Sequence, residues 1–134
     1  MGEVLATAGR IHDKDADAWV REWTATADAV RADAETAGNG VSALAHLLRA
    51  ATYYSTALDL VDHSRTYAPQ RLDIWKRQRA CWERVVDLMP VPGERMTVRD
   101  EDTTLPAWVF RAPDAAPGER RPLVAMTAPT GRPS

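Results

Sequence analysis

The stretch Met89-Pro-Val-Pro-Gly93 constrains this chain more than any other. Each proline lacks a backbone N–H and holds φ at about −65°, so neither fits inside a helix or a central strand, and the glycine after them loosens the backbone further. No helix continues through this point. Apolar residues before it recur at helical spacing and those after it alternate, which predicts a helical region over 1–92 and a sheet region over 93–134.

In the helical region, Asp13 or Asp15 is placed to cap a first helix whose stripe is Trp19, Val20, Trp23, Ala27, Val30 and Ala34. Ala37-Gly-Asn-Gly40 ends it. Ser42 is the expected cap of a second helix with Leu44, Leu47, Leu48, Ala51, Tyr54, Leu58 and Val61 inside. A third helix starts after Ala68-Pro69 and runs to about Leu88, with Leu72, Trp75, Arg79, Trp82, Val85 and Val86 expected inward. Beyond the break, Met96 and Val98 alternate with polar neighbours. The turn-rich Asp100-Glu-Asp-Thr-Thr104 follows, then Leu105-Pro-Ala-Trp-Val-Phe110, a Pro-rich loop, and a third strand signal in Pro122-Leu-Val-Ala-Met-Thr127.

With 45% apolar and 27% charged residues the 134-residue chain has a globular composition. A formal charge of −2, with basic residues scattered among acidic ones, gives no electrostatic reason to expect nucleic acid or an anionic membrane surface. No apolar run approaches the roughly 20 residues that span a bilayer, and Met-Gly-Glu-Val-Leu-Ala lacks the basic start of a signal peptide. A cytoplasmic protein is the expectation. Cys81 is the only cysteine, so no intrachain disulfide can form.

Each near approach to a catalytic motif has a simpler structural reading. Gly40-Val-Ser42 begins like a Gly-x-Ser-x-Gly elbow but lacks the final glycine and a preceding strand, and a helix cap accounts for it. His12, His46 and His63 show no paired spacing that would build a metal site. Cys81 beside Trp82 reads as a buried structural thiol. Asp13, Asp15 and Asp17 suit the positive end of a helix dipole. The tryptophans Trp19, Trp23, Trp75 and Trp82 read as core, with a ligand-lining role for one or two as the alternative. No catalytic residue, cofactor site or metal site is expected from these patterns.

Taken in order, Ala18-Trp19-Val-Arg-Glu-Trp23, Leu48-Arg-Ala-Ala-Thr-Tyr53-Tyr54, Trp75, Cys81-Trp82-Glu83, Thr103-Thr-Leu-Pro-Ala-Trp-Val-Phe-Arg111 and Arg121-Pro-Leu-Val-Ala-Met126 resemble the N-terminal part of the α/β-hydrolases that carry a helical N-terminal cap. Dihydropseudooxynicotine hydrolase, the fermentation-respiration-switch-like esterases and the fungal pigment hydrolases belong to that group. The resemblance implies an α+β chain, a three-helix cap followed by the first β-strands of an incomplete α/β-hydrolase sheet. It implies that the third strand lies between a fourth and a fifth, and that the nucleophile, acid and histidine come later in the order this fold uses. Thr127-Ala-Pro-Thr-Gly131 then falls where an oxyanion loop begins, with Ala128, Thr130 and Gly131 as candidates and Pro129 unable to donate. The run has fewer glycines than the family usually shows there.

The expectation is therefore a truncated N-terminal fragment of a serine hydrolase of ester, amide or C–C bonds, inactive alone. Its implied partners are a complementary hydrolase fragment or a second copy in a homo-oligomer, with a small hydrophobic substrate in intact relatives. The competing expectation is a stand-alone helical module that binds a protein or a small molecule.

Overall fold

Asp15 adopts extended φ/ψ of −87° and 92° and accepts a hydrogen bond from the Ala18 amide at 2.9 Å, which starts the longest helix of the molecule. The computed structural model describes residues 2–127. Among these residues the order is α1 (Gly2–Gly9), α2 (Ala16–Glu35), α3 (Gly40–Leu58), two 3-10 turns (Val61–His63 and Ala68–Gln70), α4 (Arg71–Leu88), β1 (Glu94–Asp100) and β2 (Thr103–Val109). The chain is mixed α+β. Helices precede a hairpin, and the break at residues 89–93 falls between them as the prolines require.

The core belongs to α2, α3 and α4, with α3 packed against both of the others. Val20, Trp23, Ala27, Val30 and Ala34 bury one face of α2, as their spacing predicts, and Trp19 lies half-buried at its edge. In α3 the buried residues are Leu47, Ala50, Ala51, Tyr53, Tyr54 and Ala57. Leu48, expected inside, is exposed. The N-cap of α3 is Asn39, whose side chain accepts from the Ser42 amide at 2.8 Å, so the expected cap at Ser42 moves three residues back.

The inward face of α4 also differs from the expectation. Ile74, Cys81, Val85 and Val86 are buried, while Leu72 and Trp75 are 61% and 46% exposed. Two apolar stripes run along this helix, one through residues 74, 81 and 85 and one through residues 72, 75, 79 and 82. The compact row fits against α3; of the bulky row, Leu72 and Trp75 are exposed, while Trp82 is half-buried, packing against the helical core as expected and also meeting the hairpin.

A fourth α-helix, α1, stands beyond the three expected. It has no apolar stripe of its own length and docks by polar groups. Thr7 Oγ1 lies 2.7 Å from Thr26 Oγ1, Arg10 donates to Glu22 at 2.7 Å, and Glu3 accepts from Arg49 and from Tyr53, each at 3.0 Å.

β1 and β2 pair antiparallel from Glu94 opposite Val109 to Asp100 opposite Thr103, with a two-residue turn at Glu101 and Asp102. Strand alternation puts Arg95, Trp108 and the following Phe110 on the side facing α4, and Met96, Val98, Leu105, Ala107 and Val109 on the other. The third strand expected over residues 122–127 does not form; this segment carries no regular secondary structure and is fully exposed. Among the described residues it pairs with neither β1 nor β2, and a strand exists only through its ladder.

Gly93 sets the path from α4 into β1. It is buried, its amide donates to Val86 O at 3.3 Å, and a Cβ there would lie 2.6 Å from Phe110 Cε1 and 2.8 Å from Val86 Cγ1. The Gly93→Ala variant is expected to lose about 1–3 kcal/mol in urea denaturation through overpacking, whereas Gly38→Ala, with open space around it, stays within ~0.5 kcal/mol. The stripe assignment of α4 has its own test: Ile74→Ala is expected to cost about 2–5 kcal/mol and Leu72→Ala within ~0.5 kcal/mol in the same assay.

Candidate functional site

The residues that could perform chemistry are dispersed or shielded. Cys81 is buried and burial pushes its thiol above the ordinary value, so it is held in the unreactive protonated form. His12 and His63 are exposed at separate turns, and His46 lies half-buried on α3 with Arg49 2.6 Å from its Nδ1. Ser42 sits in the first turn of α3, not at the tip of a strand. Among the described residues no group of three or more His, Cys, Asp or Glu side chains is placed to hold a metal ion. The oxyanion-loop candidates Ala128, Thr130 and Gly131 lie outside the described residues.

What the fold does assemble is an aromatic junction between α4 and the hairpin. Trp82 meets Trp108 edge to face with ring centroids 6.1 Å apart, and meets Phe110 at 6.3 Å. The guanidinium of Arg79 lies 4.3 Å from the Trp108 ring centroid and 5.9 Å from that of Trp75. Glu83 accepts from Arg79 at 2.9 Å and also from Arg95, which reaches Asp87 at 3.0 Å. Burial tends to raise the Glu83 pKa, but the two arginines outweigh it and hold this carboxyl below the ordinary value. The result is a fixed cation clamped between rings and carboxylates. Such a surface stacks flat or aliphatic groups, but it holds no activated nucleophile and no free base.

Sequence reasoning placed Trp75 and Trp82 in the core and singled out neither Trp108 nor Phe110 as their partners. Helical spacing does announce the row of Leu72, Trp75, Arg79 and Trp82. Only the hairpin's position shows that Arg79 and Trp82 also meet the sheet, Trp82 keeping its expected contact with the helical core.

Three polar clusters were also not legible in the sequence. The Tyr54 hydroxyl donates to Asp28, which also accepts from Arg77 at 3.2 Å, while Arg77 bonds Asp73 at 2.6 Å. Burial first, and then the Asp28 carboxylate, raise the Tyr54 pKa well above the ordinary phenol value. Glu3, Arg49, Tyr53 and His46 form the second cluster, between α1 and α3. In the third, Asp17 accepts from the Ser64 and Thr66 hydroxyls and from the Thr66 amide, joining α2 to the turn after α3. These clusters hold helices in place; Asp17 also lines an open depression with Asp13, Asp15, His63 and Arg65, and Glu3 lines another with Thr7 and Arg10.

No protein-family model matches the sequence. A curated protein, hydrolase acrC of Aspergillus aculeatus, is 35% identical over 91 residues, which cover 66% of this chain and 21% of that protein. The chain thus spans about a fifth of the length of the relative it matches, and over that stretch it is hydrolase-like. Among the described residues no helix is long and apolar enough to cross a membrane.

Asp17 gives the site region a measurable pH dependence. Hydrogen bonds from Ser64 and Thr66 lower its pKa below the ordinary 3.8, so the unfolded chain holds the proton more tightly than the folded one. Its contribution to stability is complete above that ordinary value and is lost as pH falls through the lowered one. Asp17→Asn is expected to melt below the unmodified protein at neutral pH, with the gap narrowing in acid; a gap that stays constant on acidification contradicts the assignment.

Proposed function

We propose that this chain is the N-terminal part of an α/β-hydrolase, in which α2 to α4 act as a helical cap and β1 and β2 open the catalytic sheet. The observation that carries the reading is the 35% identity to hydrolase acrC across two-thirds of the chain. The order of elements supports it: capped helices, a proline break, then an antiparallel hairpin whose second strand contains the Thr-Leu-Pro-Ala-Trp-Val-Phe run. In this reading the helices wall off a small hydrophobic substrate from solvent, and the aromatic residues of α4 lend it apolar surface. The chemistry is acyl transfer or a related addition to a carbonyl, and it needs a serine on an elbow, a histidine and an acid. The sequence holds no Gly-x-Ser-x-Gly, so the 134-residue protein alone has no such activity.

One observation favours a second reading, a self-sufficient helical binding module. The buried cluster draws all its residues from α2, α3, α4 and the 3-10 turn at Val61, and none from the hairpin. A helical unit that closes its own core can fold without the sheet.

The test is direct. The purified 134-residue protein should neither hydrolyse nitrophenyl esters above the buffer rate nor take up a serine-reactive fluorophosphonate probe. Labelling at a defined serine, abolished by replacing that serine with alanine, would falsify the proposed inactivity.

A further inference from the structure

The geometry points to a second copy of this chain as the partner of its own sheet: residues 122–127 of one molecule add as an antiparallel strand to the open edge of β1 in the other. This inference stands apart from the hydrolase reading and uses only surfaces that the described residues present.

The donor is apolar and unprotected. Leu123, Val124 and Met126 are 86%, 81% and 91% exposed, and among the described residues only Val41 on α3 is as exposed a large hydrophobic side chain as Val124. The loop ahead of them is organised. Ala115 and Glu119 amides donate to Ala112 and Ala116 carbonyls, and Arg121 is held by Glu119 at 2.9 Å and by Asp114 at 2.9 Å. The segment therefore leaves a fixed base. Its composition, with Leu, Val and Met and no charge, suits a strand.

The acceptor is β1. In a two-stranded sheet each strand has one unpaired edge, and its N–H and C=O groups are a template for another strand. β1 is exposed along its whole length, whereas Ala107, Trp108 and Val109 of β2 are half-buried. The sheet side that carries Met96, Val98 and Leu105 is apolar and exposed.

Charge sets the direction and the register. Arg120 and Arg121 precede the donor, and Asp100, Glu101 and Asp102 follow β1. Arg121 is already gripped within its loop, so Arg120 is the cation that meets the acidic turn. Antiparallel pairing brings them together, while parallel pairing would set the arginines beside Arg95 at the other end of β1. With Arg120 opposite Asp102, Val124 falls beside Val98 and Met126 beside Met96, which are apolar cross-strand pairs on the exposed side of the sheet. A formal charge of −2 puts little net repulsion between copies.

The experiment is sedimentation equilibrium over a wide concentration range, with cysteine crosslinking to read the register. The unmodified protein should dimerise reversibly. Ala125→Pro, which removes the N–H that faces the open edge of β1 at Thr97 and lies outside the helical core, should weaken the dimer by more than about tenfold while leaving helical circular dichroism unchanged. Arg120→Glu should weaken it as well, and mixing Arg120→Glu with Asp102→Arg chains should restore association. Chains carrying Val98→Cys should form an interchain disulfide with chains carrying Val124→Cys, since the native Cys81 is buried. A monomer at every concentration overturns the inference, as does a dimer that Ala125→Pro leaves intact. A dimer that Ala125→Pro breaks but that ignores both charge variants overturns the antiparallel register.

Discussion

Three helices meet at the hydroxyl of Tyr54. This side chain is the largest fully buried one in the protein and comes from α3, the central helix. Its hydroxyl must find an acceptor because a buried polar group without one costs on the order of 1–3 kcal/mol. It finds Asp28 of α2, and Arg77 of α4 grips the same carboxylate from outside. One phenol thus fixes the rotation of α2 and, through Asp28, the position of α4. The apolar packing of Val20, Ala27, Leu47, Ile74 and Val85 follows around that point.

Everything outside this knot is attached by fewer and more specialised contacts. Helix α1 is tied by Thr7, Arg10 and Glu3, all polar. The hairpin is tied by an aromatic junction and by Arg95, which bonds Glu83 and Asp87 on α4. Gly93 makes that docking possible, since any side chain there would occupy the space of Phe110. The attachments differ in consequence. Polar tethers fix position while adding little burial, so α1 and the hairpin sit against a core that does not need them. The hairpin consequently turns one side to α4 and leaves the other, with Met96, Val98 and Leu105, exposed.

That exposed side joins the functional and the associative readings. A sheet of two strands with an apolar outer side is complete only when something covers it, whether the rest of a hydrolase or another copy. The helices, in contrast, are already closed around their core. The chain thus combines a helical part closed around its own core with a hairpin that leaves one apolar side exposed.

The local rules of the chain were legible from the sequence alone. Pro90, Pro92 and Gly93 end the helical region whatever surrounds them, because a missing N–H and a locked φ act within a residue or two. An aspartate caps α2, with the structure choosing Asp15 over Asp13, the α2 stripe is buried as spaced, Cys81 is an inert buried thiol, and the hairpin folds where its alternation places it. The candidate site was legible only in part: Trp75 and Trp82 stood out, but not that they face Trp108, Phe110 and the hairpin. The tertiary structure alone decided which of two apolar stripes on α4 is the inner one, that Asn39 displaces Ser42 as a cap, that α1 docks through polar groups, and that residues 122–127 stay unpaired. Apart from the Asn39 cap, a local bond to the Ser42 amide, these depend on partners far away in the chain, such as Glu3 of α1 and Arg49 of α3 at 46 residues' separation. Spacing within one helix carries no information about a neighbour that only folding supplies.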